Sequence, residues 1–346
     1  MISVEKSNQL KSIAILMMLC LHLFNTLDYE NLFIPLFFAF GKPLIYYISL
    51  FCDACVPIFA FVSGYGLYYK YSQSAVVYNA QNFTRLRVLY VNFWVIIFLF
   101  CVVGGRMCES PTIPGNLYEL LLNASGLHTT YNGAWWFFTT YVFFVLTSSF
   151  WFKLLNKVNG YTFFIILLLV YLITFYLRVY KSDLGLDSLL AWAYRQCVLY
   201  FCTLLQFMLG AFALKYNWSI IFQRLFKKYL AGSTIAAFLM LLLLILIHAI
   251  IPNFVIAPFT GLLFIFIYLQ FSIHKSLKIS LDFFSKHSTN IWLIHMFFMS
   301  IYAREFVYSF QYPVLIFLVL IVLCLMSSYI INYCCHILND KLFNAK

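Results

Sequence analysis

The chain has little charge: only 10% of its 346 residues are Asp, Glu, Lys or Arg, whereas 64% are hydrophobic. Together with a mean hydropathy of +0.91, this composition excludes a water-soluble protein, because too few polar side chains remain to cover a hydrated surface. Acidic residues are the scarcest, at 11 Asp and Glu against 22 Lys and Arg. We interpret the net charge of +11 as membrane topology and not as a nucleic-acid-binding surface.

The chain also lacks the features of a secreted or metal-binding protein. The polar N-terminus, residues 1–9, precedes an apolar run without a small-residue cleavage site, so we expect a retained first span and no cleaved signal peptide. The 10 cysteines are scattered through apolar segments, which is typical of buried thiols and not of a disulfide framework. We expect no metal, because His287 and His295 lack a nearby carboxylate and Cys52-Asp53-Ala54-Cys55 lacks a second ligand pair.

Long apolar runs dominate the sequence and predict an all-α integral membrane protein. They leave no room for a separate soluble domain, and no internal repeat is evident, so we expect a single transmembrane domain over residues 1–346, built as one polytopic bundle of about ten helices. The predicted spans are residues 12–28, 51–69, 88–105, 134–152, 161–178, 198–214, 229–251, 254–273, 287–302 and 313–335.

Segment 31–50 is apolar but is interrupted by Pro35 and by Gly41-Lys42-Pro43, which divide it into pieces too short to cross the membrane. Ten spans with cytoplasmic N- and C-termini place most of the basic loop residues on the cytoplasmic side, as the positive-inside rule requires. An eleventh span at 31–50 would move most of them to the other face. We therefore predict an interfacial or re-entrant segment there.

Two basic side chains lie in or beside the first predicted span. Lys11 and His22 are eleven positions apart, about three helical turns, so on a helix they share one face with a separation of about 16 Å. Lys11 has a second interpretation, as a residue that reaches from the span into the cytoplasmic interface. An ionisable group near mid-membrane is costly, so for His22 we favour a functional role over a structural one.

Four further elements follow along the chain, and three of them have a structural as well as a functional interpretation. Phe61-Val62-Ser63-Gly64-Tyr65 is typical of close helix packing. Arg85-Leu86-Arg87 could bind phosphate oxygens or serve only the positive-inside rule. Trp136 lies in an aromatic run that membrane interfaces commonly carry. Ser288 and His295, seven positions apart, share a helix face and predict a polar seam toward the bilayer centre.

In this order, the elements resemble the acyltransferase 3 family of bacterial membrane O-acyltransferases. The family's first helix carries a basic residue, ten intervening residues and a histidine, which Lys11 and His22 match. The resemblance covers about residues 8–335. The other matching elements are Phe61-Val62-Ser63-Gly64-Tyr65, Arg85 with Arg87, Trp136-Phe137 and Trp292-Leu293-Ile294-His295.

Three departures from the family pattern stand out. Lys11 occupies a position where arginine is more usual, and Trp292 occupies one where tyrosine is common. After the tenth predicted span we expect no extracytoplasmic esterase-like domain of the kind that some members append.

The resemblance implies a membrane O-acetyltransferase in the bacterial cytoplasmic membrane. Its donor would be acetyl-CoA on the cytoplasmic side, and its acceptor a hydroxyl of a cell-surface glycan or lipid-linked oligosaccharide, without a metal. His22 would be the general base or a transient acyl acceptor, and His295 would orient it, shuttle a proton or polarise the thioester carbonyl. Residues implied to bind CoA phosphates are Lys11, Arg85 and Arg87. Residues implied to contact substrate are Ser63, Trp136, Ser288 and Trp292.

Two other classes of membrane protein compete with this interpretation. A transporter or flippase for lipid-linked saccharides would be expected to show interrupted helices in corresponding halves, and the sequence has no convincing internal symmetry. A glycan polymerase would favour a large outer loop rich in charged residues. The longest predicted outer loop, 106–133, has only Arg106, Glu109 and Glu119.

Overall fold

A computed structural model describes residues 1–185 and 187–343, and nearly all its regular structure is helical, which confirms the predicted all-α class. The first helices are α1 (Val4–Phe24), α2 (Leu44–Phe51), α3 (Cys55–Gln73), α4 (Ala75–Ile96), α5 (Gly104–Met107), α6 (Leu117–Ala124), α7 (Trp136–Lys157) and α8 (Gly160–Tyr180). The later helices are α9 (Ser188–Lys215), α10 (Trp218–Leu230), α11 (Thr234–Ile250), α12 (Ala257–Tyr268), α13 (Lys275–Met296), α14 (Arg304–Tyr308) and α15 (Pro313–Phe343).

Short segments of other geometry interrupt or precede several of these helices. One antiparallel hairpin pairs β1 (Phe38–Ala39) with β2 (Lys42–Pro43). The π-helical segments are Ile97–Val103, between α4 and α5, and Phe297–Ile301, directly after α13. The 3-10 segments are Cys52–Ala54, Gly133–Trp135 and Phe254–Ile256. A π-helical turn has wider spacing than an α-helix and often lies at a functional site.

Among residues 1–185 and 187–343, seven helices are long and apolar enough to cross a membrane. Several such helices identify a multi-pass membrane protein. Seven of the predicted spans correspond to them, but the predicted count of ten and the cytoplasmic termini are not confirmed. The first spanning helix starts and ends earlier than predicted, so His22 lies in its last turn and not near its middle. The seven helices are Val4–Phe24, Leu44–Gln73, Ala75–Met107, Gly133–Lys157, Gly160–Tyr180, Ser188–Lys215 and Pro313–Leu338.

The three remaining predicted spans are the ones whose helices are broken, short or polar at one end. Within the span predicted at 229–251, α10 and α11 are bent by 109°, so Tyr229 and Leu230 belong to the helix before the break. The span predicted at 254–273 contains the shorter helix Phe254–Tyr268. The span predicted at 287–302 is the apolar second half of α13 and its π-helical continuation.

Segment 31–50 divides at Pro43. The hairpin precedes it, and α2 begins directly after it at Leu44 and continues into α3, since proline tolerates only the first turn of a helix. Residues 44–50 therefore extend the second span, and the predicted start of that span at residue 51 is wrong. The predicted break at Gly41-Lys42-Pro43 is confirmed.

The chain divides into two compact units. The first comprises Met1–Met18, Leu50–Asn82 and Thr140–Ser285, and the second comprises Leu19–Ser49, Phe83–Thr139 and the chain from Lys286 onward. The single domain over residues 1–346 stays a prediction.

In the first unit, α3 packs closely against α9 through two glycines. A Cβ atom added to Gly64 would collide with the backbone carbonyl of Phe207, and one added to Gly210 would collide with the backbone carbonyl of Phe61. Lipid supplies no hydrophobic force between helices, so close backbone approach at small residues is a main source of stability. The packing interpretation of the Phe61–Tyr65 element is confirmed for Gly64.

We expect Gly64→Ala to lower the free energy of unfolding by roughly 1–3 kcal/mol, because the new methyl group must push α3 away from α9. Thermal unfolding of the purified chain in detergent measures the change. Gly66→Ala is the matched control, since Gly66 lies on the same helix, is exposed and has no atom within 4 Å of the added Cβ. Equal unfolding temperatures for the two variants would contradict the packing role of Gly64.

Candidate active site

The second unit brings two histidines together. His22 lies in the last turn of α1, His295 lies in the last turn of α13, and their ring centroids are 5.1 Å apart with the planes tilted by 31°. His295 is completely buried, whereas His22 is exposed. One imidazole is therefore held within the protein and contacts a second imidazole that remains accessible.

Backbone carbonyls determine which nitrogen of His295 carries the proton. Its Nδ1 lies 2.8 Å from the carbonyl oxygen of Trp292 and 3.2 Å from that of Ile291. Because a carbonyl oxygen only accepts, we assign the proton of the neutral ring to Nδ1 and the lone pair to Nε2.

The Nε2 atom of His295 is buried, and no atom of the described residues forms a hydrogen bond to it. An unpaired buried polar atom is costly, and in native structures such an atom calls for an explanation. The neighbouring ring of His22 supplies one, because an N–H of His22 or a hydroxyl group of a bound substrate could donate to this nitrogen. The pair is thus suited to accept a proton from a ligand that reaches His22.

Three hydrogen bonds attach the turn of α13 that precedes this buried histidine to the start of the fourth span. The indole nitrogen of Trp135 and the amide nitrogen of Asn132 donate to the carbonyl oxygen of Leu293, at 2.8 and 3.0 Å. The indole nitrogen of Trp292 donates to the carbonyl oxygen of Ala134 at 3.1 Å. These bonds hold the histidine-bearing turn in one position.

Trp135 is a residue that the sequence interpretation missed. Its side chain is completely buried, and its ring centroid lies 4.7 Å from that of Phe93 and 5.8 Å from that of Phe297. The predicted residue Trp136 is half-buried beside it. An available signal was the indole N–H, since a tryptophan buried in an apolar environment needs a hydrogen-bond acceptor.

A partly buried polar network joins three helices of the second unit. The amide of Asn92 in α4 donates to the Asn290 side chain in α13 at 2.7 Å. Asn290 in turn donates to Ser328 Oγ and Asn332 Oδ1 in α15, at 2.8 and 2.9 Å, and His287 Nδ1 lies 2.8 Å from Ser328 Oγ. Sequence reasoning missed Asn92 and Asn290, because each is a single polar residue whose partners lie on other helices.

The arginine pair lies within a regular helix. The third span was predicted at 88–105, but α4 begins at Ala75, so Arg85 and Arg87 leave it in directions about 160° apart. Arg85 is half-buried and Arg87 is exposed. Their backbone positions do not favour joint binding of one phosphate group. Arg85 shares a helix face with Asn92, about 10 Å further along.

The other predicted site residues divide between the two units. Ser288 and Trp292 lie in the second unit on α13, which is regular from Ser288 to His295, so the predicted shared face is confirmed. Lys11 on α1 and Ser63 on α3 are half-buried residues of the first unit. Within the described residues, no group of three or more His, Cys, Asp or Glu side chains could hold a metal ion.

We expect ¹⁵N NMR of histidine-labelled protein in detergent near neutral pH to show His295 as the tautomer protonated at Nδ1, because two carbonyl oxygens face that atom. His295→Gln assigns the signal. Exposed His274 is the internal control, since the backbone N–H of Ser276 donates to its Nδ1 and favours the opposite tautomer. A proton on Nε2 of His295 would contradict the proposed lone pair.

Comparison with known proteins identifies a family. The sequence model of Acyl_transf_3, described as an acyltransferase domain, matches residues 5–333. No curated protein and no solved structure matches the chain.

Proposed function

We propose a glycan O-acetyltransferase activity for this chain, which belongs to the acyltransferase 3 family. Members of the family are acyltransferases that act on hydroxyl groups, and the chain's long apolar helices make it a membrane acyltransferase. The proposed donor is acetyl-CoA in the cytoplasm, and the proposed acceptor is a hydroxyl of a cell-surface or lipid-linked glycan. We propose the bacterial cytoplasmic membrane as its location.

The contact between His22 and His295 is the observation that carries the proposal. Transfer of an acyl group to a hydroxyl needs a base within reach of the O–H proton, and an accessible neutral imidazole is suited to that role near neutral pH. His22 is accessible, and the buried ring beside it offers a lone pair at Nε2. That lone pair can accept a hydrogen bond from His22 and so direct the second nitrogen of His22 toward the substrate.

In the proposed reaction, one nitrogen of His22 takes the proton of the acceptor hydroxyl while the hydroxyl oxygen attacks the thioester carbonyl carbon. A C–O bond forms, the C–S bond breaks, and the CoA sulfur leaves as a thiolate. The thiolate then takes the proton from the His22 imidazolium, which returns the ring to its neutral form. The products are the acetyl ester and CoA, and no proton is gained or lost.

His295 is proposed as a positioning residue. With its Nδ1 proton engaged by two backbone carbonyls, its neutral ring has no N–H to offer to a thioester carbonyl, so orientation of His22 fits better than polarisation of the donor. Trp135 and Asn132 support this role indirectly. They donate hydrogen bonds to the carbonyl oxygen of Leu293 and so hold the helical turn that carries His295.

Arg85 and Arg87 are proposed to bind CoA phosphates. Guanidinium groups match phosphate oxygens, and because the two residues point to different sides of α4, each would contact a different phosphate group. Lys11 is proposed as a third donor contact. The proposed substrate contacts are Ser63, Trp136, Ser288 and Trp292.

We expect His22→Gln to lower kcat by at least about 10²-fold with little change in the KM for acetyl-CoA, because glutamine cannot take a proton. The assay follows labelled acetyl groups from acetyl-CoA into glycan with reconstituted protein. His274→Gln, which replaces an exposed loop histidine, should keep normal activity. Activity of His22→Gln equal to that of this control would refute the proposed base.

We expect Arg85→Gln and Arg87→Gln each to raise the KM for acetyl-CoA roughly tenfold or more, as loss of a charged hydrogen bond does. With acetyl-pantetheine, which lacks the nucleotide phosphates, neither variant should differ from the parent protein. Exposed Lys70 supplies the control Lys70→Gln. If the substitutions impair both donors equally, the arginines do not recognise phosphate.

A further inference from the structure

Helix α10 has a basic stripe. Arg224, Lys227 and Lys228 are all exposed and fall within about 100° of arc around the helix axis. The 13-residue helix, Trp218–Leu230, contains no acidic residue. The charged side chains on this side of the helix are therefore all positive.

Two other sides of α10 are apolar and differ in what covers them. Phe226 is buried, and the ring centroid of Phe222 lies 5.5 Å from that of Phe266 in α12 in a stacked arrangement. This side of α10 therefore packs inside the first unit. Between this side and the basic stripe lie Ile221, Leu225 and Tyr229, one helical turn apart, which are 48, 48 and 69% exposed. The helix thus presents an uncovered apolar stripe directly beside its basic stripe.

The path of the chain indicates what this surface meets. Helix α11 is apolar apart from Thr234 and His248, and α10 is bent from it by 109° at Ala231 and Gly232, both of which have positive φ angles. The three basic residues exclude α10 from the hydrocarbon core as a continuation of α11. If α11 crosses the membrane, α10 lies nearly parallel to its surface.

The ends of the neighbouring helices α7 and α9 add positive charge to the same side of the first unit. The Nζ atom of Lys215, at the end of α9, donates to the carbonyl oxygen of Leu155 near the end of α7 at 2.6 Å, so these helix ends adjoin the start of α10. Residues 153–160 and 214–233 contain no Asp or Glu. Their basic residues are Lys153, Lys157, Lys215, Arg224, Lys227 and Lys228.

We infer that α10 lies in the membrane interface and binds the headgroups of anionic phospholipids. Its apolar stripe of Ile221, Leu225 and Tyr229 enters the acyl region, and its basic stripe contacts the phosphates. This division of one helix into an apolar and a basic face is the pattern of helices that lie on a membrane surface. Basic residues near an anionic surface gain binding energy from its negative potential. This inference does not depend on the proposed acyl transfer.

Native mass spectrometry of the full chain in detergent, titrated with phosphatidylglycerol or phosphatidylcholine, tests the headgroup contact. In R224Q/K227Q/K228Q the dissociation constant for phosphatidylglycerol should rise at least tenfold, since each basic residue near the surface accounts for about a factor of five. Phosphatidylcholine binding should not change. The charge-retaining variant R224K/K227R/K228R should bind like the parent, and free glycerol phosphate at equal concentration should not displace the lipid.

A matched pair of tryptophan variants tests how α10 is oriented and does not need the triple variant to fold. Leu225 lies in the apolar stripe, and Gln223 lies on the opposite side of the helix. In vesicles of phosphatidylglycerol and phosphatidylcholine with brominated acyl chains, Leu225→Trp should add strongly quenched fluorescence, whereas Gln223→Trp should add fluorescence that is quenched much less.

Two results would overturn the inference. One is equal quenching of the two added tryptophans. The other is a glutamine triple variant that binds phosphatidylglycerol as tightly as the parent protein does. If this variant were in addition monomeric where the parent is dimeric, the basic stripe would instead be the contact surface for a second copy of the chain.

Discussion

The structure depends on one constraint: in an apolar medium without water, a buried polar group has to find its partner within the protein. The second unit follows this rule at Asn92, Asn290 and Ser328, whose side chains bond to one another across three helices. It also follows the rule at Trp135, whose indole N–H reaches a backbone carbonyl. The exception is Nε2 of His295, and this exception lies against the accessible ring of His22. Among the described residues of the second unit, Nε2 of His295 is therefore the buried side-chain atom that the surrounding hydrogen bonds leave unpaired, and it marks the candidate site.

Close packing and side-chain hydrogen bonds both support the two units. In the first, α3 and α9 approach until glycine is the only residue that fits, and hydrogen bonds such as that from Tyr68 to Asn156 add to the packing. In the second, side-chain hydrogen bonds join α4, α13 and α15. Directed bonds fix both the position and the rotation of a helix, which the proposed base and its proposed positioning residue would require. In the second unit, these directed bonds reach α13, the helix that carries His295.

Much of the architecture could be predicted from sequence, and the failures have identifiable causes. Seven apolar helices were found because hydropathy reports them directly. The span predicted at 229–251 joined two helices, because hydropathy does not register a bend at Ala231 and Gly232. The start of α4 was placed thirteen residues too late, because residues 79–87 of the helix are mostly polar. Membership of the acyltransferase 3 family decides against the transporter and polymerase alternatives.

The sequence by itself determined the membrane class and the family, since composition and the order of short motifs are local properties of the chain, and the site residues that it suggested stay a prediction. Only the tertiary structure decided that His22 meets His295, that Trp135 binds the α13 backbone, and which nitrogen of His295 carries the proton. The reason is physical. A hydrogen bond depends on an approach within a few tenths of an ångström, and for helices far apart in sequence that approach follows from packing and not from spacing along the chain.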